Sequence, residues 1–467
     1  MKKIMITISR GWIARNLLKN NFFRILREKY QIILLTPAFR DKRFIKEFGH
    51  KNVRFLPLNE YPWSPADRFI SKLHKMLIWN PSVALKFRYG ILSIEDREIS
   101  YLKYHLTKII FYPLSKLKFL RDLMRWVDYQ FLQKGQADKF VKLIEHERPG
   151  LIICTHITSD TESALIKAAK KCGVQSWAMP KSWDNLSSTS FRVKSNRLIV
   201  WNEYMMEKAS KYQNYKPEEI DIVGVAQYDH FVNRDELDEY GVFCEKVGLS
   251  PERKTIFFGS EGKLFVRDPE IASIIYKFIE DDELIEKCQL FIRPHYGYKD
   301  DEKKFKHLIG APHVAVDMYN RKSNDFRDQW DYSEEFTNRF LNSIFHSSVI
   351  INTCSTLTLD AATLDRPAIN VMFDGYDRLP YSKSLVRWYD NDYYRAVLET
   401  GGTKKVFSRE ELKKAINNYL INPGHDSDGR ERLRKKFCYK IDGYSGARYA
   451  NLVINFLEGQ HVDQYDS

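Results

Sequence analysis

At 467 residues the chain exceeds what one domain usually holds, and its 43% hydrophobic content can fill two or three sizeable cores. Its formal net charge of +13 points to an anionic partner such as a nucleotide, a lipid phosphate or nucleic acid, but speaks to association and not to fold. No apolar run reaches the roughly 18 residues a bilayer-spanning helix needs, the start MKKIMITISRG lacks an apolar leader core and a small-residue cleavage site, and the six scattered cysteines form no C-x-x-C pair; a cytoplasmic chain with reduced thiols and no zinc site is expected.

Lys2 to Ile8 alternates toward a buried strand, Ser9-Arg10-Gly11 turns the chain, and Trp12 to Arg27 is an amphipathic helical segment. Gln31 to Thr36, closed by Pro37, and Val53 to Leu58 are the next strands. Strand, helix, strand at this spacing starts a doubly wound parallel sheet, whose carboxyl edge carries the ligand-binding loops. Arg10 and Arg15 are candidates for an anionic acceptor group there, although an ordinary tight turn is the plainer reading of the lone Gly11.

Between Pro65 and Phe140 the strand rhythm stops and the chain becomes helical, aromatic and basic. Lys103, Lys108, Lys116, Lys118, Arg121, Arg125 and Lys134 face only Asp122 and Asp128, with apolar residues interleaved. That composition suits helices lying in an anionic headgroup interface, although an inserted helical subdomain with a solvated basic face is the plainer reading. Pro113 is expected to kink or divide its helix.

Sheet grammar resumes at Gly150 to Cys154, and Gln175 to Met179 and Arg197 to Trp201 follow as strands. The loops after the first two deliver His156, Asp160 and Asp184 to one edge as available bases; a helix cap for Asp160 and a turn cap for Asp184 are the plainer readings. Ile220 to Gly224 closes the first domain, and Val225 to Arg253 reads as a charged connection.

Lys254 to Phe258 opens a second sheet and ends in Gly259-Ser260-Glu261-Gly262-Lys263, which lacks P-loop spacing. Cys288 to Ile292 ends in Arg293-Pro294-His295, where Arg offers a fixed fork to a phosphate and His a movable proton. Val314 to Met318 is an edge strand. Val349 to Asn352, the turn through Thr356, the helix Leu357 to Asp365, the stop at Arg366-Pro367 and the strand Ala368 to Phe373 make a further strand-helix-strand unit. Hydroxyls and free N–H groups at the mouth of that helix suit phosphate, and Asp360, one turn beyond Thr356, suits a sugar diol.

The run S-T-x-x-x-D-A-x-x-x-x-R-P-x-I from Ser355 resembles the nucleotide-sugar signature of glycosyltransferases with the GT-B architecture. It is especially similar to the version in bacterial surface-polysaccharide transferases, including capsule and CDP-glycerol transferase relatives, with Asp360 standing where Glu is usual. The resemblance implies Ser355 and Thr356 for the donor phosphates and Asp360 for the ribose. The G-S-E-G-K loop resembles the first turn of the GT-B donor domain, where Gly259 admits the diphosphate and Ser260 or Lys263 contacts it, and R-P-H runs like that of Arg293 and His295 occur in the same transferase group.

The fold expected is therefore α/β, with two Rossmann-like domains facing across a cleft and a helical insert in the first. Residues 1–224 form the acceptor side with the basic insert 65–140, residues 225–445 bind the nucleotide sugar, and residues 446–467 cross back as a helix. The function expected is a metal-independent glycosyltransferase. It needs no cofactor, and its donor is a nucleotide-diphosphate sugar or a CMP/CDP-activated equivalent. The acceptor is a cell-surface glycan or a polyprenyl-linked precursor at the inner face of the membrane, with an anionic membrane surface as a candidate partner. Nucleic acid is not an expected partner. Asp160 is the first candidate base and Asp184 the second, with Arg293 neutralising the leaving diphosphate. Two alternatives stand beside this reading: a UDP-GlcNAc 2-epimerase-like enzyme, whose G-T-R-P-E and H-R-x-E-N runs are not found here, and a non-catalytic basic protein that binds membranes or nucleic acid.

Overall fold

The computed structural model describes residues 1–90, 98–232, 237–298, 300–319, 325–328 and 330–460. Two all-parallel sheets organise them. The first contains β1 (Lys3–Thr7), β2 (Gln31–Thr36), β3 (Val53–Pro57), β4 (Leu151–Cys154), β5 (Ser176–Ala178), β6 (Arg197–Val200) and β7 (Ile220–Ile222), in the order β3-β2-β1-β4-β5-β6-β7. The second contains β8 (Lys254–Gly259), β9 (Cys288–Arg293), β10 (Val314–Val316), β11 (Ser347–Asn352), β12 (Ala368–Val371) and β13 (Lys404–Val406), in the order β10-β9-β8-β11-β12-β13. Runs such as IILLT and LIIC are buried on both faces because helices cover each sheet, which is why they read as unbroken apolar stretches. Strand order reverses between β1 and β4 and again between β8 and β11, so the loops leaving these strands open a crevice at each switch point. The expected pair of doubly wound domains is what the chain forms.

Local chemistry moved several boundaries. The segment from Trp12 to Arg27 is two helices, Gly11–Leu18 and Asn21–Lys29, because the side chain of Asn20 accepts from Phe22 N (3.0 Å) and starts a new helix. Pro113 sits in the last turn of the helix Tyr101–Leu114, which ends there. The charged connection after residue 225 contains a 3-10 turn, Ala226–Phe231, and a helix, Tyr240–Val247. β13 escaped notice because its three residues include two exposed lysines.

The insert comprises the helices Pro65–Met76, Pro81–Tyr89, Tyr101–Leu114, Lys118–Phe131 and Lys134–Glu147. Ions lie at its centre. Arg192 donates from Nε to Asp128 (2.8 Å), from Nη1 to Asp160 (2.7 Å) and from Nη2 to Asp67 (2.7 Å), while Lys167 donates to the other oxygen of Asp128 (2.5 Å). These groups come from two insert helices, the helix Asp160–Lys171 and the loop before β6, so one guanidinium ties the insert to the first sheet.

The second domain clamps onto the first. Asp328 accepts from the N–H groups of Gly11 (3.0 Å) and Trp12 (3.4 Å), capping the helix Gly11–Leu18 from across the cleft. Gly11 is required there, since a Cβ would lie 2.6 Å from the carbonyl oxygen of Trp330. Phe326 and Tyr332 enter the first-domain core beside Phe44. At the other end, Arg387 donates to the carbonyl of Tyr89 (3.0 Å) and Ser187 to Asp392 (3.0 Å).

The last helix, Ser445–Glu458, lies on the first domain, where Tyr449 stacks on Phe22 with centroids 4.3 Å apart. Asp229 caps it by accepting from Ser445 N (3.0 Å) and Gly446 N (2.7 Å). Tyr449 is buried and its hydroxyl finds no hydrogen-bond partner among the described residues. Tyr449→Ala is therefore expected to cost about 3–5 kcal/mol in urea unfolding, as for other large aromatic truncations, whereas Tyr449→Phe should be neutral or stabilising because it removes an unsatisfied buried group.

Candidate active site

A cavity of about 320 Å³ lies between the two sheets. The first domain lines it with Trp12, Arg15 and Asn16 from one helix, Lys181 to Trp183 from the loop after β5, and Gln227 and Tyr228 from the 3-10 turn. The second domain contributes Gly259 and Ser260 after β8, Arg293 and His295 at the end of β9, and Ser355, Thr356 and Asp360 beyond β11. The three second-domain loops singled out from the sequence thus converge on one space.

Arg293 is the built cation of this wall. Its Nη1 donates to Asp317 (2.9 Å), which also accepts from Arg339 Nε (2.8 Å), and the guanidinium packs over the rings of Tyr296, Phe336 and Phe340. Its Nη2 is buried and has no partner among the described residues. A fixed, half-satisfied guanidinium facing a cavity is a receptor for an anionic oxygen. His295 stands beside it with Nδ1 also unpartnered, and burial lowers its pKa, so the imidazole is neutral near pH 7.

Asp360 is nearly inaccessible, and burial pushes its carboxyl up to about 7, against the opposing pull of Arg15, Tyr228 and Arg293. Burial in turn lowers Arg15 to about 10, and its guanidinium lies 5.2 Å from the ring centroid of Trp330. The turn before this helix is held by Asn352, whose Oδ1 accepts from Ser355 N (3.3 Å) and Thr358 Oγ1 (3.2 Å). Cys354 adopts φ +52°, the left-handed region that costs a non-glycine residue, so the turn carries strain next to the cavity.

The remaining sequence candidates are placed differently. Ser260 lines the cavity but its Oγ belongs to a local network with Asp268 (2.7 Å), Asp301 (2.7 Å) and Lys304 (3.1 Å). Lys263 is exposed and does not line the cavity; Lys304 is the lysine that reaches this loop, donating also to the carbonyl of Gly262 (3.1 Å). Asp160 is held by Arg192 within the ionic centre of the insert and is absent from the cavity wall, since its position at the start of a helix turns it toward that guanidinium. His156 is buried and neutral, within 3.4 Å of Ser9 Oγ. Asp184 accepts from Asn185 (3.2 Å) and Ser188 (3.1 Å) and lines a second cavity, of about 140 Å³, with Lys86, Glu261 and Cys354.

Glu261 is the group the sequence quoted without assigning. It is buried, its Oε1 has no partner among the described residues, and burial raises its pKa to about 8, so it carries a proton at neutral pH. A protonated carboxyl facing a cavity can act as a general acid. Gln227 and Tyr228 were also missed, because they sit in a stretch with neither strand nor helix periodicity.

No family model and no curated protein matches the chain. The fold, two facing Rossmann-like domains with the cavity between them, is of the GT-B type, and solved structures share it over the whole length. MnaA of S. aureus, solved with UDP, aligns at TM-score 0.56 and 11% identity over 100% of both chains. The UDP-GlcNAc 2-epimerase of Neisseria meningitidis bound to UDP-GlcNAc aligns at 0.55 and 9%, covering 98% of this chain and 100% of that one. The UDP-GlcNAc 2-epimerase of Methanocaldococcus jannaschii aligns at 0.53 and 12%, covering 97% and 99%.

Asp360 gives the site a pH signature. Its folded pKa of about 7 lies above the ordinary carboxylate value of about 3.9, so the native state binds a proton that the unfolded chain has released. Its contribution to stability is full below pH 4 and lost as pH rises through about 7. A ligand diol that donates to Asp360 favours the ionised form, so affinity should rise about tenfold between pH 6 and pH 8. Titration calorimetry checks this, and Asp360→Asn should flatten the profile.

Proposed function

We propose that the protein is an enzyme acting on a nucleotide-activated sugar, with the diphosphate against Arg293, Ser355 and Thr356 and the ribose on Asp360. The observation that carries this is the buried Nη2 of Arg293, without a partner among the described residues, in a cavity also lined by the hydroxyl residues Ser355 and Thr356 and the carboxyl of Asp360. Fixed donors of this kind neutralise a diphosphate without reorganising.

Two reactions fit. Inversion at a sugar carbon is favoured by the whole-length likeness to structures described as UDP-GlcNAc 2-epimerases. Such a reaction takes the C2 proton while the C1–O bond to the diphosphate breaks, leaving a C1=C2 double bond, and then returns a proton to the opposite face of C2 as the diphosphate re-adds at C1; Glu261, Asp184 and His295 are the groups near the cleft able to handle protons. Transfer to an acceptor is favoured by the S-T-x-x-x-D and R-P-H runs. In that case Asp184 is the candidate base, and Asp160, bound to Arg192, serves the insert.

A thermal-shift panel of nucleotide-diphosphate sugars and CDP-glycerol tests the common reading, which is overturned if none stabilises the protein. Arg293→Met and Asp360→Ala should each weaken the active ligand by about 1–3 kcal/mol. Incubation in D2O without acceptor separates the reactions: an epimerase returns the 2-epimer with deuterium at C2, while a transferase leaves the sugar unlabelled and releases nucleotide only when acceptor is added. Glu261→Gln should slow the reaction roughly a hundredfold or more with little change in affinity, and Asp160→Asn should lower stability while leaving affinity unchanged.

A further inference from the structure

The helix Lys118–Phe131 is inside out. Its buried residues are Arg121, Arg125 and Asp128, whereas Phe119 (62% exposed), Leu123, Trp126 (55%) and Phe131 face solvent. Sequence reading grouped Arg121 and Arg125 with the outward lysines; both instead point inward. Arg121 donates to Asn214 (2.8 Å) and to the carbonyl of Ser115 (2.6 Å), and Arg125 to the carbonyl of Phe191 (3.1 Å) and to Gln213 (3.3 Å). The preceding helix, Tyr101–Leu114, has no buried residue at all, yet exposes Leu102, Leu106, Ile109 (70%), Ile110 and Tyr112. Phe69, on the insert helix packed against Lys118–Phe131, is exposed as well.

Soluble proteins rarely leave so much large apolar surface in one region uncovered. The charges around it say what covers it. Lys103, Lys108 and Lys118 are exposed on the same two helices and Lys116 on the turn between them, and the one exposed acid there, Asp122, is paired with Arg125. A second copy of the chain would set lysine rim against lysine rim. A bilayer with anionic headgroups would take the apolar side chains into its acyl boundary and the lysines at its phosphates.

We propose that the helices Tyr101–Leu114 and Lys118–Phe131 form a docking surface for a membrane rich in anionic lipid, seated in the interface and not across it. The inference is independent of the nucleotide-sugar reading, because none of these residues lines the cleft. Flotation of the full chain with vesicles of phosphatidylcholine alone, and of phosphatidylcholine with phosphatidylglycerol, tests it. Binding should need the anionic lipid. Replacing Lys108, Lys116 and Lys118 by Gln should reduce it roughly a hundredfold, and Ile109→Glu with Phe119→Glu should reduce it on the order of tenfold or more. Both variants should keep the wild-type melting temperature, since the altered side chains are exposed. Equal binding to both vesicles, binding to neither, or a dimer in sedimentation velocity that the Ile109→Glu and Phe119→Glu variant dissociates would each overturn the proposal.

Discussion

The structure turns on Arg192. Its guanidinium meets three aspartates from three elements, and with Lys167 it leaves Asp128 held well below the usual carboxylate range by the hydrogen bonds and charges around it, despite burial. Removing one member of such a cluster strands the others without solvent, so the arrangement acts as a lock on orientation more than as a source of net stability. The lock faces the polar side of the helix Lys118–Phe131 inward, and the apolar side has nowhere to go but out. The same contact draws Asp160 away from the cleft.

A second constraint acts on the cleft itself. Each parallel sheet reverses its strand order once, and the two reversals face each other, so the polar loops of both domains point at one volume. The wall then depends on support from behind. Asp317 orients Arg293 and Arg339 together, Asn352 shapes the Ser355 turn, and the cluster of Asp268, Asp301 and Lys304 holds the loop that ends in Glu261. Desolvation does the rest. Burial leaves Asp360, on the larger cavity, with a carboxyl at about 7 that ionises near neutrality, and Glu261, on the smaller one, with a carboxyl at about 8 that stays protonated.

Much of this was legible locally. Arg293 ends a strand and His295, Ser355 and Thr356 follow one closely, so the strand carries them to the sheet edge whatever surrounds them, and Asp360 comes with Thr356 one turn along the same helix. Asp160 and Lys263 failed the same argument for different reasons. Asp160 begins a helix, and a distant arginine decides which way it turns. Lys263 is near the loop in sequence, but Lys304, some forty residues on, has the better approach to the Ser260 oxygen.

The sequence by itself determined the two parallel sheets and the polar loops that leave their strands, because apolar runs and the turns that end them are properties of short segments; the strand order, and with it the switch points, came from the tertiary structure. It also marked the basic aromatic helices between residues 65 and 140 as unusual. Only the tertiary structure decided which face of those helices is buried, since a helix with arginines on one side and aromatics on the other fits equally well either way round until Asn214, Gln213 and Arg192 supply partners for its polar side. Likewise, the pKa values of Asp360 and Glu261 come from exclusion of water by residues far apart in the chain, and no local pattern of letters encodes that.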